Sequence, residues 1–413
     1  VNTLAKKDQH VVGVDIGTTK ICVIVGTKSE EGMVEIIGMG TSPSKGLRKG
    51  VVVNIDSTVE SIKKAVEEAE LMAGCEINSV CAGIAGGHIK SLNSRGVVAV
   101  KDREVNPGDV ERVIDAARAI SIPMDREVLH VFPQEFIVDD QDGVKDPIGM
   151  SGVRLEAEVH VVTGAVTNIQ NVIKSCNRAG LEVKNVILEP FAASLAVLTP
   201  EEMEMGVALT DLGGGTTDLA IFLDGSIWHT SVISLGGNNV SNDISVGIRT
   251  PISEAERIKI KYGCSKTSLV RDDETIEVPS VGGRPSRVLS RQILSEIIEP
   301  RVEELFTLVK REIVKTGYED MIASGLVLTG GTSIMDGVVE IAEEVMGLPA
   351  RRGIPQNVSG LVDVVSSPMY AAAVGLVQYG FHNLSRTSLV AQSEESLFKK
   401  VPMRIKRWIG DFF

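Results

Sequence analysis

The residues best placed to do chemistry are Asp211 and Asp218, which flank Leu212-Gly213-Gly214-Gly215-Thr216-Thr217. Three successive glycines let backbone N–H groups close on an anion with no Cβ in the way. The hydroxyls of Thr216 and Thr217 add donors. Two carboxylates beside a phosphate would repel it, so the pattern asks for a metal ion between them. A second stretch repeats the grammar: Asp15, Gly17, Thr18, Thr19 and Lys20, nearly half the chain away. Each set sits between two apolar runs, within Val12–Val25 and within Leu209–Phe222, which reads as a β-hairpin. Two matched hairpins imply a chain of two similar halves that share one cleft.

The elements around them alternate as in α/β proteins. Met33–Gly40 and Val51–Ile55 read as strands and Ser57–Ala73 as an amphipathic helix, capped by Asp56 or Ser57 and ended by Gly74. From Gly83 the character changes to a strand–helix–strand–strand block, which predicts an inserted α+β subdomain over 85–162. Glu189 opens an Ala-rich helix after the strand Val183–Leu188. It either complements the helix dipole or orients a water toward a terminal phosphate. Glu256 and Lys259 stand three apart on a helix over Ser253–Tyr262, a spacing that suits a solvated ion pair. Gly330, Gly331 and Ser333 form a turn before a helix over Asp336–Met346, which suits a nucleotide's α-phosphate or nucleoside. Residues 287–316 read as one or two helices broken at Pro300. Arg284, Arg287, Arg291 and Arg301 make a basic surface there, either a solvated face or a seat for an acidic peptide.

The chain has 413 residues, a net charge of −13 and 43% hydrophobic residues, which predicts at least two domains and argues against nucleic-acid binding. Cys22, Cys75, Cys81, Cys176 and Cys264 are scattered in apolar runs without a CxxC, as in reduced intracellular proteins. No signal peptide or spanning segment is read, so the expected setting is intracellular. The last residues carry a different signal. Residues 382–396 are polar and patternless and read as a linker. In 397–413, Leu397, Val401, Ile405, Trp408, Ile409 and Phe412 fall on one helical face, with Phe413 at the end; Lys400, Arg404, Lys406 and Arg407 fall opposite. A cationic amphipathic helix of this kind suits an anionic phospholipid surface; a helix docked on the body is the plainer reading.

Both hairpins, the Glu189 helix, the Gly330–Ser333 turn and a small-residue helix over Ser367–Leu376 follow the order of phosphate 1, connect 1, phosphate 2, adenosine and connect 2 in the actin, heat-shock-70 and sugar-kinase superfamily. Within it the chain resembles the FtsA family of bacterial cell-division proteins from end to end. The resemblance implies an actin-like duplicated two-lobed α/β fold with ribonuclease H-like halves. Its expected parts are subdomain IA (8–84 and 163–196), IC (85–162), IIA (205–236 and 317–381) and IIB (237–316), then the linker and the amphipathic helix. It implies ATP and Mg²⁺ between the lobes, with Asp15 and Asp211 reaching the metal through water. Gly17, Thr18, Thr19, Lys20 and Gly213–Thr217 would hold phosphates, Glu189 and Asp211 would serve slow hydrolysis, and Glu256, Lys259, Gly330, Gly331 and Ser333 would hold adenosine. The partners it implies are the FtsZ C-terminal tail at Arg287, Arg291 and Arg301, other copies in a filament, later division proteins at the insert, and the cytoplasmic face of the cell membrane at the division site. A PilM-like pilus adaptor and a small-molecule kinase of the same superfamily are the alternatives.

Overall fold

The structure, a computed structural model, describes residues 10–29, 32–280 and 285–394. In the first lobe a central sheet runs in the order Glu182–Leu188, Ser79–Ile84, Val11–Ile16, Lys20–Lys28, Val34–Pro43 and Val358–Gly360. The second lobe orders its strands Ala350–Arg352, Leu326–Thr329, Val207–Leu212, Thr217–Leu223 and Ser226–Ile233. Leaving aside the late edge strand Val358–Gly360, the two orders are the same: two parallel strands, then an antiparallel meander of three. Duplication read from two hairpins thus extends to whole sheets. Val12, Val14, Ile21, Val23 and Ile24 are buried on both sides of the first sheet, as strands covered by helices must be.

Helix Ile55–Ala73 buries Val59, Ile62, Ala65, Val66 and Ala69 against this sheet. Its cap differs from expectation. Asn54 accepts from Ser57 N at 3.0 Å, so the helix starts two residues earlier than its apolar spacing suggests. The insert has its own core and four-stranded sheet, Lys90–Ala99, Arg154–Ala165, Arg126–Val138 and Gln141–Val144, with helix Pro107–Arg118 packed on it. It leans on the outer strand of the second lobe, Ser226–Ile233. Ser91 Oγ donates to Thr230 O at 2.8 Å and Gln134 Nε2 to Ile227 O at 3.3 Å. An otherwise open sheet edge is thereby covered by side chains, not by another strand.

Two helix boundaries correct the sequence reading. Arg291–Thr316 is one continuous helix with Pro300 inside it, and Arg287–Ser290 is a strand paired with Thr275–Val278. The apolar residues Leu294, Ile298, Val302, Leu305, Phe306, Val309 and Ile313 stay buried on both sides of Pro300, so packing outweighs the lost N–H bond. The stretch read as a linker is helical up to Glu394, because helix Ala371–Glu394 runs through it. Polar composition argues against burial but does not stop a helix, and residues 382–394 hold neither glycine nor proline. The membrane helix expected over 397–413 lies outside the described residues, among which no helix is long and apolar enough to cross a membrane.

The lobes meet where helix Glu189–Val197 crosses Ala371–Glu394. A side chain on Gly375 would collide with Ala192 O, so the crossing distance depends on a residue with no Cβ.

Candidate functional site

The hairpin tips from the two lobes are in direct contact. A Cβ on Gly214 would collide with Thr19 Cγ2, and one on Gly215 would lie 2.7 Å from Thr18 Oγ1. Glycine at these positions therefore lets one tip seat against the other, in addition to exposing N–H groups. The next turn locks behind them: Gly237 N donates to Gly213 O at 3.0 Å and Asn238 N to Gly214 O at 2.8 Å. Thr332, which sequence reasoning did not single out, donates from Oγ1 to Gly213 O at 3.1 Å. Those bonds occupy loop carbonyls.

Four carboxylates gather beneath the tips. Asp15 and Asp211 end the first strand of each hairpin, Asp218 stands directly across from Asp211, and Glu189 comes from the first turn of the junction helix. Burial, reinforced by Asp218 and Asp15, pushes Asp211 up to about 8. Burial raises Asp218 to about 7, opposed by the hydrogen bond from Thr216. Glu189 is raised well above the usual carboxylate range by burial, then by Asp15, Asp218 and Asp211. Asp15 is raised by burial and partly relieved by Lys20. Asp218 Oδ1 is buried without a hydrogen-bond partner. An orphaned carboxylate oxygen among mutually repelling acids fits a nearby cation. Among the described residues no three His, Cys, Asp or Glu side chains converge on a bare metal.

Several expected phosphate ligands are placed otherwise. Thr217 is buried and donates to Leu235 O at 2.9 Å, and Thr216 donates to Asp218 Oδ2 at 3.0 Å. Both hydroxyls are spent inside the lobe, because the strand continues through Thr217 and turns its side chain inward. Thr18 Oγ1 accepts from Gly50 N at 2.9 Å. Lys20 Nζ donates to Met369 O at 2.7 Å and lies 4.1 Å from the Tyr370 ring centre, so its ammonium is engaged at the start of the long helix. Gly17 accommodates its own turn, since a Cβ there would meet Lys20 O at 2.8 Å.

At the adenosine end, Lys259 Nζ pairs with Glu256 Oε2 at 2.8 Å and donates to Gly237 O at 3.0 Å. The pair thus braces the turn behind the hairpin tip instead of lying on a solvated face. A Cβ on Gly331 would meet Met369 Cβ at an unstrained 4.0 Å, and Gly330 takes a positive φ of 83° beside Asp211. Ser333 corrects the reading: it is fully buried, with its hydroxyl on Gly330 O at 2.7 Å, so the turn offers Gly331 and not a serine to a ligand.

Of the arginines of the basic surface, three have partners within the chain, and Arg284 lies outside the described residues. Arg301 Nε reaches Asp243 Oδ2 at 2.5 Å, Arg291 Nη1 reaches Glu274 Oε2 at 2.6 Å, and Arg287 donates to Ile248 O. A spacing rule on one helix could not reveal Asp243 or Glu274, which come from other elements.

A sequence profile described as "Cell division protein FtsA" matches residues 208–375, and one described as "SHS2 domain inserted in FTSA" matches 86–163. The chain is 54% identical over 408 residues to the cell division protein FtsA of Pseudomonas aeruginosa, covering 97% of this chain and 98% of that one. Among solved structures it is similar to a PilM–PilN type IV pilus biogenesis complex, with a TM-score of 0.66 at 17% identity over 90% of this chain and 98% of that one. It is also similar to MreB5 of Spiroplasma citri bound to ADP, with a TM-score of 0.56 at 15% identity over 94% and 99%. The two structures speak to the fold, which is actin-like with an inserted SHS2 domain.

Proposed function

The chain belongs to the FtsA family of cell-division proteins, and from that premise we propose that it binds Mg-ATP between its lobes, polymerises, and tethers the FtsZ ring to the membrane through residues 397–413. The observation that carries the nucleotide part is the set of four crowded carboxylates under two interlocked glycine tips. When bound, Mg²⁺ would supply the positive charge that lets these acids stand beside phosphates, with Asp211, Asp218, Asp15 and Glu189 around it. Asp15 and Asp211 would reach it through water, while the N–H groups of Gly213, Gly214 and Gly215 bind phosphate oxygens. Once a cation lies near, Glu189 ionises and can accept a hydrogen bond from an attacking water. Hydrolysis at such a site would be slow at most unless a partner supplied an arginine finger in trans.

The membrane part rests on the pattern of 397–413. One such helix binds lipid weakly, and a filament of copies supplies the avidity that stable attachment needs. Filament and anchor therefore support each other. The pilus-adaptor reading loses ground because identity to PilM is low while identity to curated FtsA proteins is high. At the FtsZ seat, an acidic tail would have to exchange with Asp243 and Glu274 for Arg301 and Arg291. The deciding experiment is co-sedimentation with anionic liposomes, with and without ATP and FtsZ. The full chain should pellet and a chain lacking 397–413 should stay in solution; equal pelleting of both would refute the anchor.

A further inference from the structure

Between Leu47–Arg48 and Val51–Val52 lies a two-residue hairpin turn, Lys49-Gly50. Both turn residues have positive φ, 51° at Lys49 and 73° at Gly50. Such turns favour Asn-Gly or Asp-Gly, because a short polar side chain can hydrogen-bond the local backbone in the left-handed region and the long side chain of lysine cannot. The turn is wedged between the two phosphate hairpins. Gly50 N donates to Thr18 Oγ1 at 2.9 Å on one side, and on the other a Cβ on Gly215 would lie 3.0 Å from Lys49 Cα. A residue poorly suited to its turn, standing beside both tips, calls for a reason other than folding.

The charge around the cleft supplies one. Four carboxylates and a nucleotide's phosphates need cations, and Lys20 is engaged by Met369 O and Tyr370. Lys49 is exposed and, among the described residues, forms no ion pair. We propose that Lys49 is a further phosphate-binding residue, its ammonium closing over the β- and γ-phosphates of the nucleotide from a turn clamped between the two lobes. This rests on the nucleotide reading above. It gives the turn a purpose: contact with Gly215 places Lys49 only when the tips are seated together, so the charge arrives with closure.

The test uses the full-length chain titrated calorimetrically with Mg-ATP, Mg-ADP and AMP, alongside thermal melts. Lys49→Asn removes the charge but suits the turn, so the apo chain should melt at the same temperature or higher. Its Mg-ATP affinity should fall about tenfold, the worth of one charge-assisted hydrogen bond. AMP affinity should hold, and Lys49→Arg should keep most of the ATP affinity. Lys49→Asn binding Mg-ATP as tightly as the parent overturns the proposal. So does an equal loss for ATP and AMP with a lowered melting temperature, which would mean a structural role. If the unaltered chain binds none of the three nucleotides, the nucleotide reading itself fails and this assignment with it.

Discussion

The two hairpins are built on one plan yet differ in how they carry charge. In the first, Asp15 stands opposite Cys22, and Lys20 lowers the cost of its ionisation. In the second, Asp211 stands opposite Asp218, two acids on one face of neighbouring strands. Like charges so placed are destabilising. Lys20 partly offsets both Asp15 and Asp211, but only the second hairpin sets two acids face to face. Duplication copied the backbone and left the electrostatics to diverge, with the facing pair of acids on the second hairpin.

The sharpest way to break this contrast is Asp211→Asn. It should weaken Mg-ATP binding by about 2–3 kcal/mol, the worth of a hydrogen bond to a charged group, in calorimetry. Unaltered affinity would remove Asp211 from the site. Proton linkage gives the next test. Because Asp211 and Asp218 sit near 8 and 7 when folded, against 3.8 ordinarily, their neutral forms favour the folded state. That stability is full below pH 4 and is lost as pH rises toward 8, at up to about 1.4 kcal/mol per unit for each group. Melts of the apo chain should show a downward slope over this window that is shallower in Asp218→Asn and flattened by Mg²⁺. The insert seam runs the other way. His160, depressed to about 3 by burial and then by His229, contributes stability above pH 6.5 that is lost on acidification. His160→Gln should lessen the acid loss and leave the alkaline slope alone. Smallest is Thr217→Val, which removes the bond to Leu235 O and should cost about 1 kcal/mol of stability without changing nucleotide affinity.

Much of the cleft was legible in the sequence because the hairpins obey a local rule: apolar strands around glycine, with the acid at the strand end. The duplicated sheets followed from finding that rule twice. What escaped was set by distant partners. Nothing near Thr217 announces that its hydroxyl turns toward Leu235, and nothing near Lys20 points to Met369, almost the whole chain away. Arg301 looked free because Asp243 belongs to another helix. Lys49-Gly50 escaped because the strands around it are only two residues long, too short for alternation to show. The helix through 382–394 was missed because its polar composition was taken for lack of structure.

That last helix has a mechanical consequence. It passes the tightest point of the lobe junction at Gly375 and continues to Glu394. At a rise of about 1.5 Å per residue, its far end lies roughly 30 Å from that pivot. A rocking of about 10° between the lobes would sweep the far end by some 5 Å, on the scale of one helical turn. Any such rocking at the cleft would be geared up into larger travel at Glu394, the end nearest in sequence to the cationic stretch.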